Sequence, residues 1–488
     1  MALIYTNASI TPNKIDLVSG WISRQRWYAG KGGTPALRRL TAWRLDDPEG
    51  EVGIETLILV DEGGPVPVVY QVPLTYRAQP LPGAQGALVG VAEHSELGTR
   101  YVYDAPHDPV YAQCLLALAQ GAMEPAEQIA ADGTPLPSDR SARGRPADAS
   151  GGSAPIRRAT SSRVLSGEQS NTSIIAMTHT EAGDSGPVIT KIFRTLAAGD
   201  NPDVILQGAL AAAGSTRVPA SIGSVSASWP APDGSGDLHG HLAFAQEFLP
   251  GAQDAWREAL TAAGTGVDFS AKAEALGRAT AEVHALLARE LPTVPADSAA
   301  IAEALAGMRA RLRSALSAAP ALAQYAVAID AVFTAAQDVD WPDFQRIHGD
   351  YHLGQVLDVP ERGWVLLDFE GEPLRPLAER SQPDQPLRDV AGMLRSFDYA
   401  GGSVEQQTRG VNARDWVEAA TSAFLDGYAQ VASVDPRAAR TLLAAYLVDK
   451  ALYEVSYEAG NRPAWIGIPL AALGRLVEPA LIGKEDPP

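Results

Sequence analysis

The stretch Gln345–Glu370, QRIHGDYHLGQVLDVPERGWVLLDFE, decides how the chain is read. It carries two aspartates, Asp350 and Asp368, on either side of a short apolar hairpin. Asp350 follows Gly349 and lies between His348 and His352 in a segment of turn character, so it is a carboxylate held on a loop. Five residues later Gln355 offers an oxygen without charge. A turn at Pro360-Glu361-Arg362-Gly363 leads into Trp364-Val365-Leu366-Leu367, a buried-strand pattern that ends on Asp368. Two strands joined by that turn would bring Gln355 and Asp368 together at the open end of a hairpin, with Asp350 nearby. One neutral oxygen and one carboxylate, with room left for phosphate and water oxygens, suit Mg2+ better than a closed protein cage.

The composition limits what such a site can serve. Thirty-nine basic against 58 acidic residues give a net charge of −19, which argues against a nucleic-acid backbone or an anionic membrane as partner. A nucleotide bound here needs local positive charge or metal. The 488 residues exceed one ordinary domain, and 46% hydrophobic residues can fill substantial cores. Cys114, the only cysteine, excludes an internal disulfide framework and favours a reducing compartment. The opening MALIYTNASITPNK lacks a basic-then-apolar leader, and no stretch is long and apolar enough to span a membrane, so a cytoplasmic location is expected. Monomer and homodimer are equally compatible with these features.

Upstream of the motif, residues 15–30 carry an amphipathic helix pattern ending in WYAGKGG, followed by strand-like runs at 40–45, 52–60 and 66–74. Residues 1–105 therefore read as a small cap subdomain of mostly antiparallel strands. Lys31-Gly32-Gly33 lacks the spacing of a phosphate loop and reads as a turn. Residues 109–123 look helical. The Gly-, Pro- and Ser-rich run within 131–157 then reads as a mobile loop or linker. From Ser162 the pattern is strand, small-residue turn, strand, and a third strand bearing Lys191. Ser166, Gly167, Gln169 and Ser170 in that turn would let backbone N–H groups approach phosphates, with Lys191 reaching them from the neighbouring strand. A helix opens near Asn201, with Asp203 and Ile205 in its first turn, and its pairing with Lys191 stays open. His239 and His241 alternate on an apolar strand and are expected to be structural. Beyond residue 251 the pattern is mainly helical.

The Asp350 motif resembles the catalytic loop and metal aspartate of protein-kinase-like phosphotransferases: His348-Gly349-Asp350 for the loop, Gln355 for the amide ligand, Asp368-Phe369-Glu370 for the metal aspartate segment. SRQRWYAGKG, HGDYHLGQVL and ALYEVSYEAGNRPAWIGIPL extend a resemblance to actinobacterial maltokinases over nearly the whole chain, and related enzymes of that group look like glucosamine kinases. The resemblance implies an α+β, bilobal protein-kinase-like fold: an N-terminal cap (1–105), an intermediate N-lobe (106–250) and a helical C-lobe (251–488). It implies ATP and Mg2+ as cofactors, Asp350 as catalytic base, Gln355 and Asp368 as metal ligands, and Lys191 on the phosphates. Backbone groups near Glu247 and Leu249 would read adenine. The sugar would lie over Asp350 and His352 against Asp389, Glu454, Glu458 and Trp465, of which Glu454 and Glu458 share a helix face.

Glucosamine, giving glucosamine 6-phosphate, is preferred over maltose, giving maltose 1-phosphate. Tyr351 stands where the maltokinase pattern has leucine, and an acidic wall could hold an ammonium. An aminoglycoside phosphotransferase is disfavoured by the long N-terminal portion, and a pseudokinase scaffold by the intact Lys191, Asp350, Gln355 and Asp368.

Overall fold

Alternating apolar runs broken by glycine and proline build antiparallel sheet in the first half of the chain, and long Ala/Leu periodicity builds helices in the second. The computed structural model describes residues 2–4, 8–126, 128–130, 142–147, 155–166, 170–373, 375–408 and 410–482. They fall into two compact units, Met1–Gly208 with Pro219–Pro250, and Ala209–Val218 with Gly251–Pro488.

In the first unit the expected strands appear at Leu37–Leu45, Gly53–Asp61 and Val68–Arg77, each antiparallel to the next. Gly98–Asp104 and Leu88–His94 continue the sheet. Gly53–Asp61 is apolar along most of its length because its faces serve different cores. Leu57 and Leu59 join Trp21, Trp27 and Tyr70, whereas Ile54 and Ile58 join Tyr111, Leu115 and Ile192. Asn13 caps the helix Lys14–Ile22 by accepting from the Asp16 N–H, which fixes where the first amphipathic pattern starts.

A second antiparallel sheet holds Lys191. Its order is Arg158–Val164, Asn171–His179, Ser185–Phe193, Asp237–Glu247, Ser221–Pro230 and Arg143–Pro146. The last of these corrects the linker reading of 131–157. Residues 131–141 and 148–154 lie outside the described residues, but Arg143–Pro146 is a strand paired with Ser221–Pro230. Gly144 permits it, since a Cβ there would fall 1.6 Å from the Leu118 carbonyl oxygen on the helix Pro109–Ala119.

The two sheets are joined directly after the lysine strand. Thr195–Leu196 pairs antiparallel with Tyr70 and Val69 of the cap sheet. The Gln71 side chain donates to the carbonyls of Phe193 (3.0 Å) and Leu242 (2.9 Å), and its backbone N–H to Arg194 (2.8 Å). Arg194 is fully buried in this seam. It pairs with Asp104 at 2.6 Å, donates to Thr172 Oγ1 at 2.8 Å, and lies over the Trp27 ring at 4.8 Å.

The second unit is helical, with Ser270–Glu290, Ser298–Ala318, Pro386–Gln407 and Arg440–Asn461 as its long members. Pro386–Gln407 is buried along most of its length, which makes it the frame for everything beside it. A small sheet interrupts the helices: the hairpin Val356–Val359 and Gly363–Leu366, edged by Gln253–Asp254. Among the described residues no helix is long and apolar enough to cross a membrane.

Candidate active site

The hairpin does what its spacing predicts. Val356 pairs with Leu366, and the Leu367 N–H donates to the Gln355 carbonyl at 2.9 Å, so Gln355 and Asp368 meet at the open end. Gln355 Nε2 lies 3.5 Å from Asp368 Oδ2. Asp368 has φ +60°, a left-handed conformation that costs a non-glycine residue about 1–3 kcal/mol and persists only where its surroundings impose it. An amide and a carboxylate side by side, both half-buried, fit a hard divalent cation that keeps further oxygen ligands.

The loop carrying Asp350 is held from beneath. Gly349 adopts φ +83°, and the N–H groups of His348 and Gly349 donate to Asp389 Oδ2 and Oδ1 at 2.8 and 2.9 Å. The ring of His348 lies tilted against Phe369, ring centres 4.6 Å apart, and its Nε2 lies 2.8 Å from the Leu367 carbonyl, tying the loop to the Asp368 segment. Asp389, Gly392 and Ser396 share one face of Pro386–Gln407. Ser396 Oγ accepts from Leu353 N–H at 3.1 Å, and Gly392 lets the helix press close, since a Cβ there would lie 2.4 Å from the Tyr351 carbonyl oxygen.

This placement corrects the expectation for Asp389. It is 1% exposed, and its oxygens serve two backbone N–H groups and His284 Nε2 at 3.0 Å, so it supports the loop and is not a sugar ligand. Burial would lift its carboxyl, but the hydrogen bond and charge of His284 and the Gly349 N–H hold it below the usual carboxylate range. Asp389→Asn retains one acceptor for two loop N–H groups. It should cost about 1–3 kcal/mol of stability, read by urea titration, because a buried donor is left without a partner.

Asp350 itself is half-buried and bonded to a residue that its sequence motif does not include. Lys450 Nζ lies 3.0 Å from Asp350 Oδ1 and 2.9 Å from Oε1 of the buried Glu372. Burial alone would raise the Asp350 carboxyl; Lys450, then His352 and His348, lower it below the ordinary value. Lys450 and Glu454 are four apart on Arg440–Asn461, a spacing that could have flagged the lysine beside the glutamates. His352, half-buried, accepts from the Gly354 N–H through Nδ1 at 3.0 Å, and burial lowers its pKa.

The expected acidic wall is largely compensated. Glu454 Oε2 pairs with Arg395 at 2.5 Å, yet its burial outweighs that cation and leaves its pKa raised. Glu458 is 2% exposed and pairs with Arg462 at 2.5 Å and with Tyr399 Oη at 2.6 Å. It is committed to its neighbours and is corrected from ligand to support. Trp465 stacks parallel on Tyr399, ring centres 6.2 Å apart, with the Arg462 guanidinium 5.3 Å from the centre of its ring. Tyr351, offered as a substrate discriminator, is buried with its hydroxyl on Thr280 Oγ1 at 2.8 Å, so it belongs to the core.

In the first unit Lys191 has its partner. Its Nζ lies 3.3 Å from Asp203 Oδ2, so Asp203, not the Ile205 position, supplies the carboxylate. Asp203 is buried in the first turn of Pro202–Ala212 and also accepts from Gln207. Asn201 sets that turn: its Oδ1 accepts from the Asp203 N–H at 2.9 Å, and its own N–H donates to His241 Nδ1 at 3.1 Å. His241 thus has the structural role expected of it. Ser166 and Ser170 lie between the paired strands Arg158–Val164 and Asn171–His179; Gly167 and Gln169 lie outside the described residues. The Glu247 N–H donates to the Ala220 carbonyl at 2.9 Å, so that donor is engaged within the first unit.

The chain is similar to known proteins along most of its length. Residues 21–108 match the family model described as the maltokinase N-terminal cap domain. A glucosamine kinase of Streptacidiphilus jiangxiensis is 30% identical over 254 residues, covering 48% of this chain and 58% of that protein. A glucosamine kinase of Mycolicibacterium smegmatis (strain ATCC 700084 / mc(2)155) is 29% identical over 253 residues, covering 48% and 62%. The chain thus aligns with less than two thirds of the length of these curated relatives. A solved glucosamine kinase (crystal form B) superposes with TM-score 0.66 at 23% identity, covering 96% of this chain and all of that one, which shows the shared fold. Residues 165–442, more than half of the chain, match the family model of the phosphotransferase enzyme family, and the chain belongs to that family.

Proposed function

We propose that the chain is an ATP- and Mg2+-dependent sugar kinase, with D-glucosamine as the favoured acceptor and glucosamine 6-phosphate as product. The observation that carries this reading is the anchored loop. It holds Asp350 ionised and half-buried, five residues before an amide that meets Asp368. In this reading Asp350 orients the acceptor hydroxyl and takes its proton. Gln355 and Asp368 would hold Mg2+, which supplies charge neutralisation to the triphosphate when bound. Lys191, held by Asp203, offers a fixed positive charge to phosphate oxygens under the hairpin at Ser166 and Ser170. In this reading the half-buried Trp465, stacked on Tyr399 and beside Arg462, would offer its remaining ring surface to a pyranose, and Glu454, paired with Arg395, would offer a carboxylate oxygen. The names of both curated relatives support an amino sugar, as does a structural neighbour, a glucosamine kinase solved in complex with glucosamine, ADP and inorganic phosphate. ATP as donor and the single buried Cys114 support a cytoplasmic setting.

Maltose phosphorylated at C1 is the second reading. Two observations favour it: the cap matches the maltokinase model, and Glu454 and Glu458 already have Arg395 and Arg462 as partners, which leaves less uncompensated charge for an ammonium. A panel of glucosamine, maltose and kanamycin with ATP and Mg2+, the phosphorylated atom assigned by 31P and 13C NMR, separates them. Glucosamine 6-phosphate is the expected product. Turnover of maltose without glucosamine would select the second reading, and kanamycin turnover would move the chain to drug modification.

A further inference from the structure

The reaction as outlined gives Lys450 no task, yet its surroundings are closely built. An ammonium has three hydrogens to place. Here they face Asp350 Oδ1 at 3.0 Å, Glu372 Oε1 at 2.9 Å and the ring of Tyr453 at 4.6 Å from its centre. Glu372 is 1% exposed, and its other oxygen lies 3.9 Å from Arg388 Nη1. A lysine so enclosed is not a surface charge.

We propose that Lys450 is a positioning residue for the base: it fixes Oδ1 of Asp350 so that Oδ2 alone meets the acceptor hydroxyl, while Glu372 shares its charge and keeps Asp350 able to accept a proton. The inference rests on the kinase reading. During transfer the acceptor O–H proton passes to Oδ2 as the new O–P bond forms and the bond from the terminal phosphorus to the ADP oxygen breaks. The cluster of Asp350, Lys450 and Glu372 then goes from one net negative charge to none, so the buried surroundings end with less charge than they began with. Without Glu372 the lysine would answer to Asp350 alone, and the proton would be harder to accept. The charged and titratable groups facing Asp350 are Lys450 from the Arg440–Asn461 helix, with Tyr453 beside it, Glu372 through the lysine, and His348 and His352 from its own loop.

Lys450→Met should lower kcat about 100-fold, the scale of a misplaced catalytic group. It should also move the acid limb of the kcat/KM profile to higher pH, because Asp350 loses the cation that favours its ionised form. Lys450→Arg should return part of the rate and of the limb. Lys450→Met with Glu372→Gln keeps the cluster at one net negative charge, guards against misfolding, and should keep the upward move. The Asp350 carboxyl can be followed by 13C NMR, assigned by its disappearance in Asp350→Asn. Its titration should rise in Lys450→Met and fall in Glu372→Gln. Unchanged acid limbs and an unchanged carboxyl titration in both lysine variants would overturn the proposal. A wild-type chain that phosphorylates no sugar would sink the kinase reading instead, and the carboxyl titration would still decide what Lys450 does to Asp350.

Discussion

Asp350→Asn should leave a folded chain whose kcat falls by about 10²–10⁴-fold, the range spanned by loss of a general base. The amide keeps the shape of the carboxylate and a contact to Lys450, so loop and helix stay in place. What disappears, in the kinase reading, is the carboxylate lone pair that would take the acceptor proton. Because the wild-type carboxyl is held below its ordinary value, its ionised form persists throughout the neutral range. Wild-type kcat/KM should therefore have its acid limb below the usual carboxylate range, with activity falling as pH drops through that lowered pKa. Circular dichroism establishes folding, and steady-state turnover with the accepted sugar gives the loss. An Asp350→Asn chain that turns over within threefold of wild type would remove Asp350 from the chemistry.

The second large effect is on stability. Arg194→Met should cost the first unit about 3–5 kcal/mol, since it strips the cation from a buried pair and leaves Asp104 charged in an apolar core. Thr172 also loses its donor, and Trp27 loses the guanidinium above its ring. Arg194→Met with Asp104→Leu should recover most of that cost, because replacing both members of a buried pair is often close to neutral. Guanidinium titration followed by tryptophan emission reports the change, with Trp27 as a reporter at the site. Equal stability of the single variant and the wild type would mean that water reaches Asp104.

Much of this is open to reading from the sequence because short-range spacing dictates it. Thirteen residues and a hairpin turn carry Gln355 to Asp368, and period-two alternation marks the cap strands. Asn201 and Pro202 mark the helix start, but which residue of its first turn faces Lys191 is decided only by the structure. What escapes such reading depends on contacts distant in the chain. Lys450 reaches Asp350 across 100 residues of sequence and Glu372 across 78. Nothing near it distinguishes it from a solvated lysine except its place on the Glu454 stripe. Asp389 and Glu458 fail as ligands for the opposite reason: a carboxylate on a helix near a site is equally able to hold backbone or a neighbouring cation, and burial decides which. Tyr351 shows the same limit, being adjacent to the base in sequence while its ring points into the core. The strand Arg143–Pro146 lies hidden in a Gly- and Pro-rich run because its partner fixes it and its own composition does not.

The matches at 21–108 and 165–442 invite treating the cap and the remainder as interchangeable modules, but the pairing of Thr195–Leu196 with Val69 and Tyr70 denies that division. A chimera joining a relative's cap to this chain at residue 108 would set foreign residues opposite Phe193–Leu196, and the Arg194 guanidinium would be received only where that cap carries a carboxylate in the place of Asp104. Successful grafts must carry both sides of that junction, and substitutions in Gln71, Asp104 and Arg194 should be accepted only in matched sets.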